Sequence, residues 1–262
     1  MALVETEGLI LKTYSLAEAD KIIIFFTKEN GLIRGVAKGA KRLKSRFGGV
    51  LEPFTIVNLT YYQKEDRDLV SISNIDLHKS FFAKAAHPEF LQKFSYLFEL
   101  LFEFAPPNEA NERLYRMACI CLETVDESPK TLESIAVYFE LWLLRLAGFL
   151  PDWHKCDGCQ REIAGNESVS LQINFHILCT NCQKGGSKWK ISPIERQIFI
   201  DAQRLAPLNF VEWTTDKQAE VKEISQILKR IISNILGKEI VGERILMASI
   251  PNSPSLKSNE AI

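Results

Sequence analysis

The sequence predicts an α+β protein of several modules: a small five-stranded barrel, a helical domain and an inserted four-cysteine zinc module. Three observations carry that prediction. Five β-branched or aromatic runs crowd residues 3–80, apolar residues recur at three- and four-residue spacing after Phe81, and two Cys-x-x-Cys pairs interrupt the helical part.

The five runs are Val4–Tyr14, Lys21–Thr27, Leu32–Lys38, Phe54–Tyr62 and Leu69–Leu77, parted by polar stretches such as Gln63-Lys64-Glu65-Asp66. So many strands in so few residues predict a closed barrel. Asn30-Gly31 predicts a two-residue type I′ turn joining the second and third strands. Helices are expected over Pro88–Phe104, Asn111–Val125 and Thr131–Ala147, broken by Pro106-Pro107 and by residues 126–130, with Gly148 ending the third. After the cysteine segment, Pro193–Arg204 and Thr215–Leu236 again read as helices, and the polar tail Pro251–Ile262 is expected to be disordered. The implied division is a barrel at 1–80, a helical domain at 81–150, a zinc module at 151–190, returning helices at 191–250 that pack on the helical domain, and the tail at 251–262.

With 262 residues and 46% hydrophobic content the chain can build real cores. Its formal net charge of -1 provides no global attraction to polyanions, so any nucleic-acid reading must rest on where charge is concentrated. There is no basic leader and no long apolar stretch, which predicts a cytoplasmic protein without membrane contact.

Cys156-Asp157-Gly158-Cys159 and Cys179-Thr180-Asn181-Cys182 are separated by a spacing typical of zinc sites. Each Cys-x-x-Cys turn aims two sulfurs at one centre, and two turns complete a tetrahedron. Four thiolates leave no position for a water molecule, so one structural Zn2+ is expected and zinc hydrolysis is not. Redox-active pairs are the weaker alternative, because Cys156 follows a loop-like stretch and not a strand. His154 and His176 are expected to be bystanders, the latter on a strand between the two turns, and Cys119 and Cys121 to be ordinary core residues.

The sharpest charge feature lies between Ile33 and Val50, where Arg34, Lys38, Lys41, Arg42, Lys44 and Arg46 occur without a single acid. Glycines punctuate the segment, and Phe47, Tyr61 and Tyr62 are candidate faces for base stacking. On composition alone, a phosphate-binding loop and a merely solvated loop at one barrel end are equally good readings. The P-loop signature is absent, which argues against nucleotide hydrolysis. A second cluster, Lys184, Lys188 and Lys190 around Trp189, could extend a charged track beside the zinc module.

Several blocks together resemble a known family. Glu7-Gly8-Leu9-Ile10-Leu11-Lys12, Glu18-Ala19-Asp20-Lys21-Ile22, the run from Phe26 to Ala40, Ser45-Arg46-Phe47 and Leu51-Glu52-Pro53-Phe54 are similar, in order, to the N-terminal part of the bacterial recombination-mediator family RecO. Phe139-Glu140-Leu141 to Gly148-Phe149-Leu150-Pro151, then the first cysteine pair, resembles that family's passage from helices into its zinc module. Where zinc-bearing members often have Gly-Gly before the second pair, this chain has Phe175-His176-Ile177-Leu178.

The resemblance implies a barrel of the oligonucleotide/oligosaccharide-binding type (OB-fold). It implies a DNA repair protein, not an enzyme, that binds single- and double-stranded DNA, anneals complementary strands, and works with RecR and single-stranded DNA-binding protein to load the recombinase RecA. Because some members lack the cysteines, it also implies that zinc is structural support. Under this reading the six cations from Arg34 to Arg46 contact phosphates. The acidic, apolar-ended tail of single-stranded DNA-binding protein needs a cation beside an apolar pocket, for which Arg113, Arg116 and Arg145 are equal candidates. The alternative is a zinc-stabilised protein-interaction adaptor with little DNA binding of its own.

Overall fold

The structure, a computed structural model, describes residues 2–64, 68–126, 128–172, 174–183 and 189–238. The predicted tail, Lys184 and Lys188 lie outside these residues.

The first five strands are β1 (Ala2–Leu16), β2 (Asp20–Thr27), β3 (Gly31–Ala37), β4 (Thr55–Gln63) and β5 (Leu69–Ser80). They close into a barrel in the order β1-β2-β3-β5-β4, with β4 returning to β1. All neighbours are antiparallel except β3 and β5, which run parallel over Arg34–Val36 and Leu69–Ser71. The barrel strands carry two apolar faces. Ile10, Ile23, Phe25, Ile33, Val57 and Leu59 fill the interior, whereas Leu9, Ile24, Phe26, Leu32 and Ile56 point outward into a second core shared with the helices. That explains why Ile23–Thr27 is buried without alternation: both faces of β2 are covered.

The β2–β3 connection departs from the sequence expectation. Thr27 pairs with Gly31, so the loop has three residues, and Asn30 is absent from the residues with positive φ that a type I′ turn requires. Gly31 instead takes φ 63°, and Thr27 Oγ1 accepts from Asn30 N at 3.1 Å while donating to Gly31 O at 2.9 Å. A Cβ at Gly31 would stand 2.1 Å from Glu109 O, so glycine also admits the backbone that crosses the hairpin, where Asn108 N donates to Leu32 O.

A short 3-10 turn, Phe82–Ala86, leads into α1 (Pro88–Phe104), followed by α2 (Glu112–Thr124) and α3 (Pro129–Leu146). Asn111 caps α2 by accepting from Leu114 N. Gly148, at φ 78°, ends α3 in a Schellman motif, with Gly148 N donating to Arg145 O and Phe149 N to Leu144 O. Barrel and helices meet at Phe54. Its φ of 61° is strained for an aromatic residue, costing about 1–2 kcal/mol. The turn throws its ring out of the barrel onto α1, with centroids 5.4 Å from Phe90 and 5.1 Å from Phe98. Aromatic pairs of this kind contribute about 0.5–1.5 kcal/mol each beyond area burial, enough to offset the strain.

Beyond α3 come a three-stranded sheet of β6 (Val169–Leu171), β7 (Ile177–Leu178) and β8 (Trp189–Ile191) in the order β7-β6-β8, then α4 (Pro193–Ala202), α5 (Pro207–Thr214) and α6 (Gln218–Leu236). His176 sits just before β7, not on a strand. The expected helix over Thr215–Leu236 starts later, at Gln218, and α5 is an addition. Aromatic and β-branched residues give α5 weak local helix preference, and tertiary contact holds it. Phe210 is fully buried with its ring 5.4 Å from that of Tyr138, and Thr214 Oγ1 donates to Ser134 Oγ. Among the described residues no helix is long and apolar enough to cross a membrane.

One carboxyl is buried in the helical core. Glu140 on α3 is 0% exposed, accepts from the Tyr96 hydroxyl at 2.7 Å, and leaves Oε2 without a partner. Burial pushes its pKa up from 4.5 to about 7, against the opposing influence of the Tyr96 hydrogen bond, Lys93 and Lys229. The unfolded chain ionises Glu140 at lower pH than the folded one, so folding there takes up a proton. Stability falls as pH rises from about 4.5 to about 7, and below that window the group contributes no pH dependence. Glu140→Gln should therefore gain stability over the wild type across this window, by on the order of 3 kcal/mol at pH 8, and show no comparable gain at pH 4. Urea unfolding at several pH values checks this.

Candidate metal centre and nucleic-acid interface

The sulfurs of Cys156, Cys159, Cys179 and Cys182 all lie within 4.8 Å of one another, and none is in a disulfide. Two turns build the cluster. In the first, Gln160 N donates to Cys156 O at 2.8 Å, and Asp157 clasps β7 twice, its N–H donating to Ile177 O and its Oδ2 accepting from Ile177 N. In the second, Cys182 N donates to Cys179 O at 3.0 Å. Across the gap, Cys179 N donates to Cys156 Sγ at 3.3 Å. A Cβ on Gly158 would stand 3.2 Å from Cys182 Cβ, so the absence of a side chain there lets the two turns close. Phe175 takes φ 61° to make the bend before β7.

Electrostatics prepare this cluster for a cation. Burial raises the Cys156 and Cys179 thiols, but amide N–H groups outweigh it, from Cys179, Cys159 and Gly158 around the first sulfur and from Cys182 and Asn181 around the second. With further help from Cys156 and Arg161, Cys179 falls to about 6. Hydrogen bonds with Cys159 and Cys179 push Cys182 up to about 12. A divalent ion would relieve this conflict by holding all four as thiolates. The fit to zinc is good: Zn–S bonds of about 2.3 Å in a tetrahedron put sulfurs about 3.8 Å apart, and Cys159 and Cys179 already stand 3.9 Å apart. His154 and His176 are exposed and outside the cluster.

The module is moored to the helices at two points. Trp153 stacks on Phe199 of α4 with ring centroids 4.0 Å apart and planes 19° from parallel. The buried Arg196 donates to the carbonyls of Ala164 and Glu167 at 2.6 and 3.2 Å. Cys121 is fully buried and Cys119 half-buried on α2, far in sequence from the cluster.

The basic segment is less loose than its glycines suggest. Residues 38–54 cover one end of the barrel, where Ala40, Phe47 and Leu51 complete the interior core. Phe47 and Tyr61, expected as stacking faces, are each 2% exposed and cannot serve; Tyr62, at 37%, can. Lys41 N donates to Ala19 O at 2.8 Å, its ammonium to Ala17 O at 3.1 Å, and Arg46 donates to Ile72 O at 3.1 Å. Lys38, Lys41, Arg42, Lys44 and Arg46 are all exposed. Among the described residues none of them forms an ion pair.

Arg34 stands apart from this group. It lies on β3, with its guanidinium 5.6 Å from the Phe102 ring centroid of α1, where Lys12 also sits at 5.5 Å. Lys38 instead borders an open cavity of about 550 Å³ with Val36, Tyr62, Lys64 and Leu69. In the sequence Lys64 gives no charge signal of its own, because Glu65, Asp66 and Asp68 follow it. A second cavity, of about 320 Å³, gathers Arg113, Arg116 and Arg145 on one apolar floor that includes Ile120, Trp142 and Pro207. Arg145 lies over the Trp142 ring at 4.7 Å and donates to Gln203 O, while the indole N–H donates to Ala202 O. The sequence offered these three arginines without grouping them; α2 and α3 bring them together. Trp142 carried no sequence signal beyond its place in an apolar run.

Removing metal should loosen the module first. In hydrogen exchange with a chelator present, amides of residues 153–182 should lose protection while β1–β5 keep theirs. Equal loss across the barrel would contradict this assignment.

Comparison with known proteins agrees with this architecture. The family described as "Recombination protein O N terminal" matches residues 1–81, and "Recombination protein O C terminal" matches residues 94–243. The chain is 31% identical over 231 residues to a DNA repair protein RecO of Koribacter versatilis, covering 86% of this chain and 92% of that one. It is 27% identical over 236 residues to a DNA repair protein RecO of Clostridium novyi, covering 90% and 87%. To that of Clostridium perfringens it is 28% identical over 247 residues, covering 91% and 95%.

Proposed function

From the premise that the chain belongs to the RecO family of DNA repair and recombination proteins, we propose that it is a DNA-binding recombination mediator that anneals complementary strands without covalent chemistry. The observation that carries this reading is the exposed set Lys38, Lys41, Arg42, Lys44 and Arg46, which forms no ion pair among the described residues and is carried by the segment that closes one end of the barrel. We take the barrel to be of the oligonucleotide/oligosaccharide-binding type, with residues 1–80 as the DNA-binding unit.

Two strands repel each other through their phosphates, and cations that neutralise both lower that repulsion. A fixed scaffold holds the cations without losing chain entropy at each contact. Tyr62 beside Lys38 and Lys64 offers one aromatic face for a base whose phosphates the lysines hold. Arg34 then serves chiefly to join barrel and α1, and contacts DNA only where a strand runs along β3. One Zn2+ on the four cysteines keeps the 151–190 module in shape and takes no part in annealing.

The cavity of Arg113, Arg116 and Arg145 supports single-stranded DNA-binding protein as a partner. Its apolar floor suits the end of that protein's tail and its three cations suit the acidic residues before it. RecR is a further partner in this reading, acting after the strand is engaged, within a bacterial cytoplasm. A protein-only adaptor would have the same cavity but would bind DNA weakly and with little response to salt.

Replacing Lys41, Arg42 and Lys44 together with alanine distinguishes the two. The log–log slope of affinity against salt should become shallower by about 2–3. An unchanged slope, measured by fluorescence anisotropy, would remove the loop from the interface.

A further inference from the structure

The cation-bearing loop carries one residue that phosphate binding does not explain. Leu43 has a relative exposure of 103%, the highest among the exposed large hydrophobic residues described. Its neighbours Lys41, Arg42 and Lys44 are all exposed cations. Ser45 N donates to Arg42 O at 3.0 Å, closing a turn with Leu43 and Lys44 at its centre, and Arg42 N donates to Gly39 O at 3.1 Å to close the turn before it. Beneath these turns Ala40, Phe47 and Leu51 are locked into the barrel core, and Lys41 and Arg46 are bonded to the β1–β2 connection and to β5. Leu43 is therefore an apolar knob on a braced mount, flanked along the chain by exposed cations.

Resting on the reading that this loop binds DNA, we propose that Leu43 is a wedge that enters between neighbouring bases of the bound strand or duplex and unstacks one step. A base step is apolar between its faces and bordered by phosphates on its rim, which matches an apolar knob flanked by cations. Aliphatic side chains inserted between base steps partially unstack them and kink the duplex. A braced mount is what insertion needs, since a loose loop would fold back before it pushed bases apart. For a strand-annealing protein the gain is direct: a base held off its neighbour is open to pairing. An anionic membrane also attracts cations around an apolar group, but one leucine with a few lysines falls short of the two strong signals that stable anchoring takes.

The test uses the full-length protein with oligonucleotides, single-stranded and duplex, carrying 2-aminopurine, whose fluorescence rises on unstacking. The wild type should raise the signal on binding. Leu43→Ala should lose that rise and bind about tenfold more weakly, the worth of roughly two buried methylene groups, while its salt slope stays at the wild-type value. Leu43→Met should keep the rise. Because the side chain touches no core, the thermal midpoint should not move in either variant. If Leu43→Ala matches the wild type in signal and affinity while binding still responds to salt, the wedge is wrong and the DNA-binding loop stands. If the wild type itself fails to bind DNA, both fall together. Binding to phosphatidylserine vesicles that depends on Leu43, with no unstacking of DNA, would overturn the wedge in favour of a lipid surface.

Discussion

The docking of Phe54 on α1 is the contact on which the rest of the arrangement depends. A five-stranded barrel of this size has room inside for only part of its apolar residues, and β1, β2, β3 and β4 carry a second apolar set on the outside. That outer face has to be covered. Phe54 accomplishes this at the mouth of β4, where its amide donates to Ile10 O and its carbonyl accepts from Phe81 N. One residue thus ties β1, β4 and the exit of β5 together while its ring enters the cluster of Phe90, Phe94 and Phe98. Its left-handed backbone is the local cost, and the shared core offsets it.

This contact also divides the molecule's work. With one side of the barrel committed to helices, an end remains open, and residues 38–54 close it by lowering Ala40, Phe47 and Leu51 into the interior. The same closure leaves the segment's cations nowhere to go but outward. Burial of the apolar residues and exposure of the basic ones are a single event. The four-cysteine module lies elsewhere, stacked on α4 through Trp153, and its four sulfurs around one centre would leave a bound ion no seat for a reacting water. Its place in the fold is that of a brace packed on α4.

Much of this was legible in the sequence because the signals were local. The five strand runs, the three helices before Gly148 and the two cysteine pairs each announce themselves within a dozen residues, and the structure places all four sulfurs together. What escaped was decided at a distance. The hairpin at Gly31 has three loop residues because the chain near Glu109 crosses it, a fact invisible in Asn30-Gly31 itself. α5 forms because Phe210 meets Tyr138 and Thr214 meets Ser134, not because its residues favour helix. Phe47 looked like a stacking face beside so many cations, yet the barrel needed a plug more than the surface needed a ring. Arg113, Arg116 and Arg145 were visible individually, but only the packing of α2 on α3 makes them one site.

We propose that annealing arises from fixed positive charge on the barrel. It is tested most directly by the rate at which complementary oligonucleotides, each coated with single-stranded DNA-binding protein, pair in the presence of this protein across a salt series. A marked acceleration at low salt that declines steadily as salt rises is expected. No acceleration at any salt concentration, or one indifferent to salt, would contradict it.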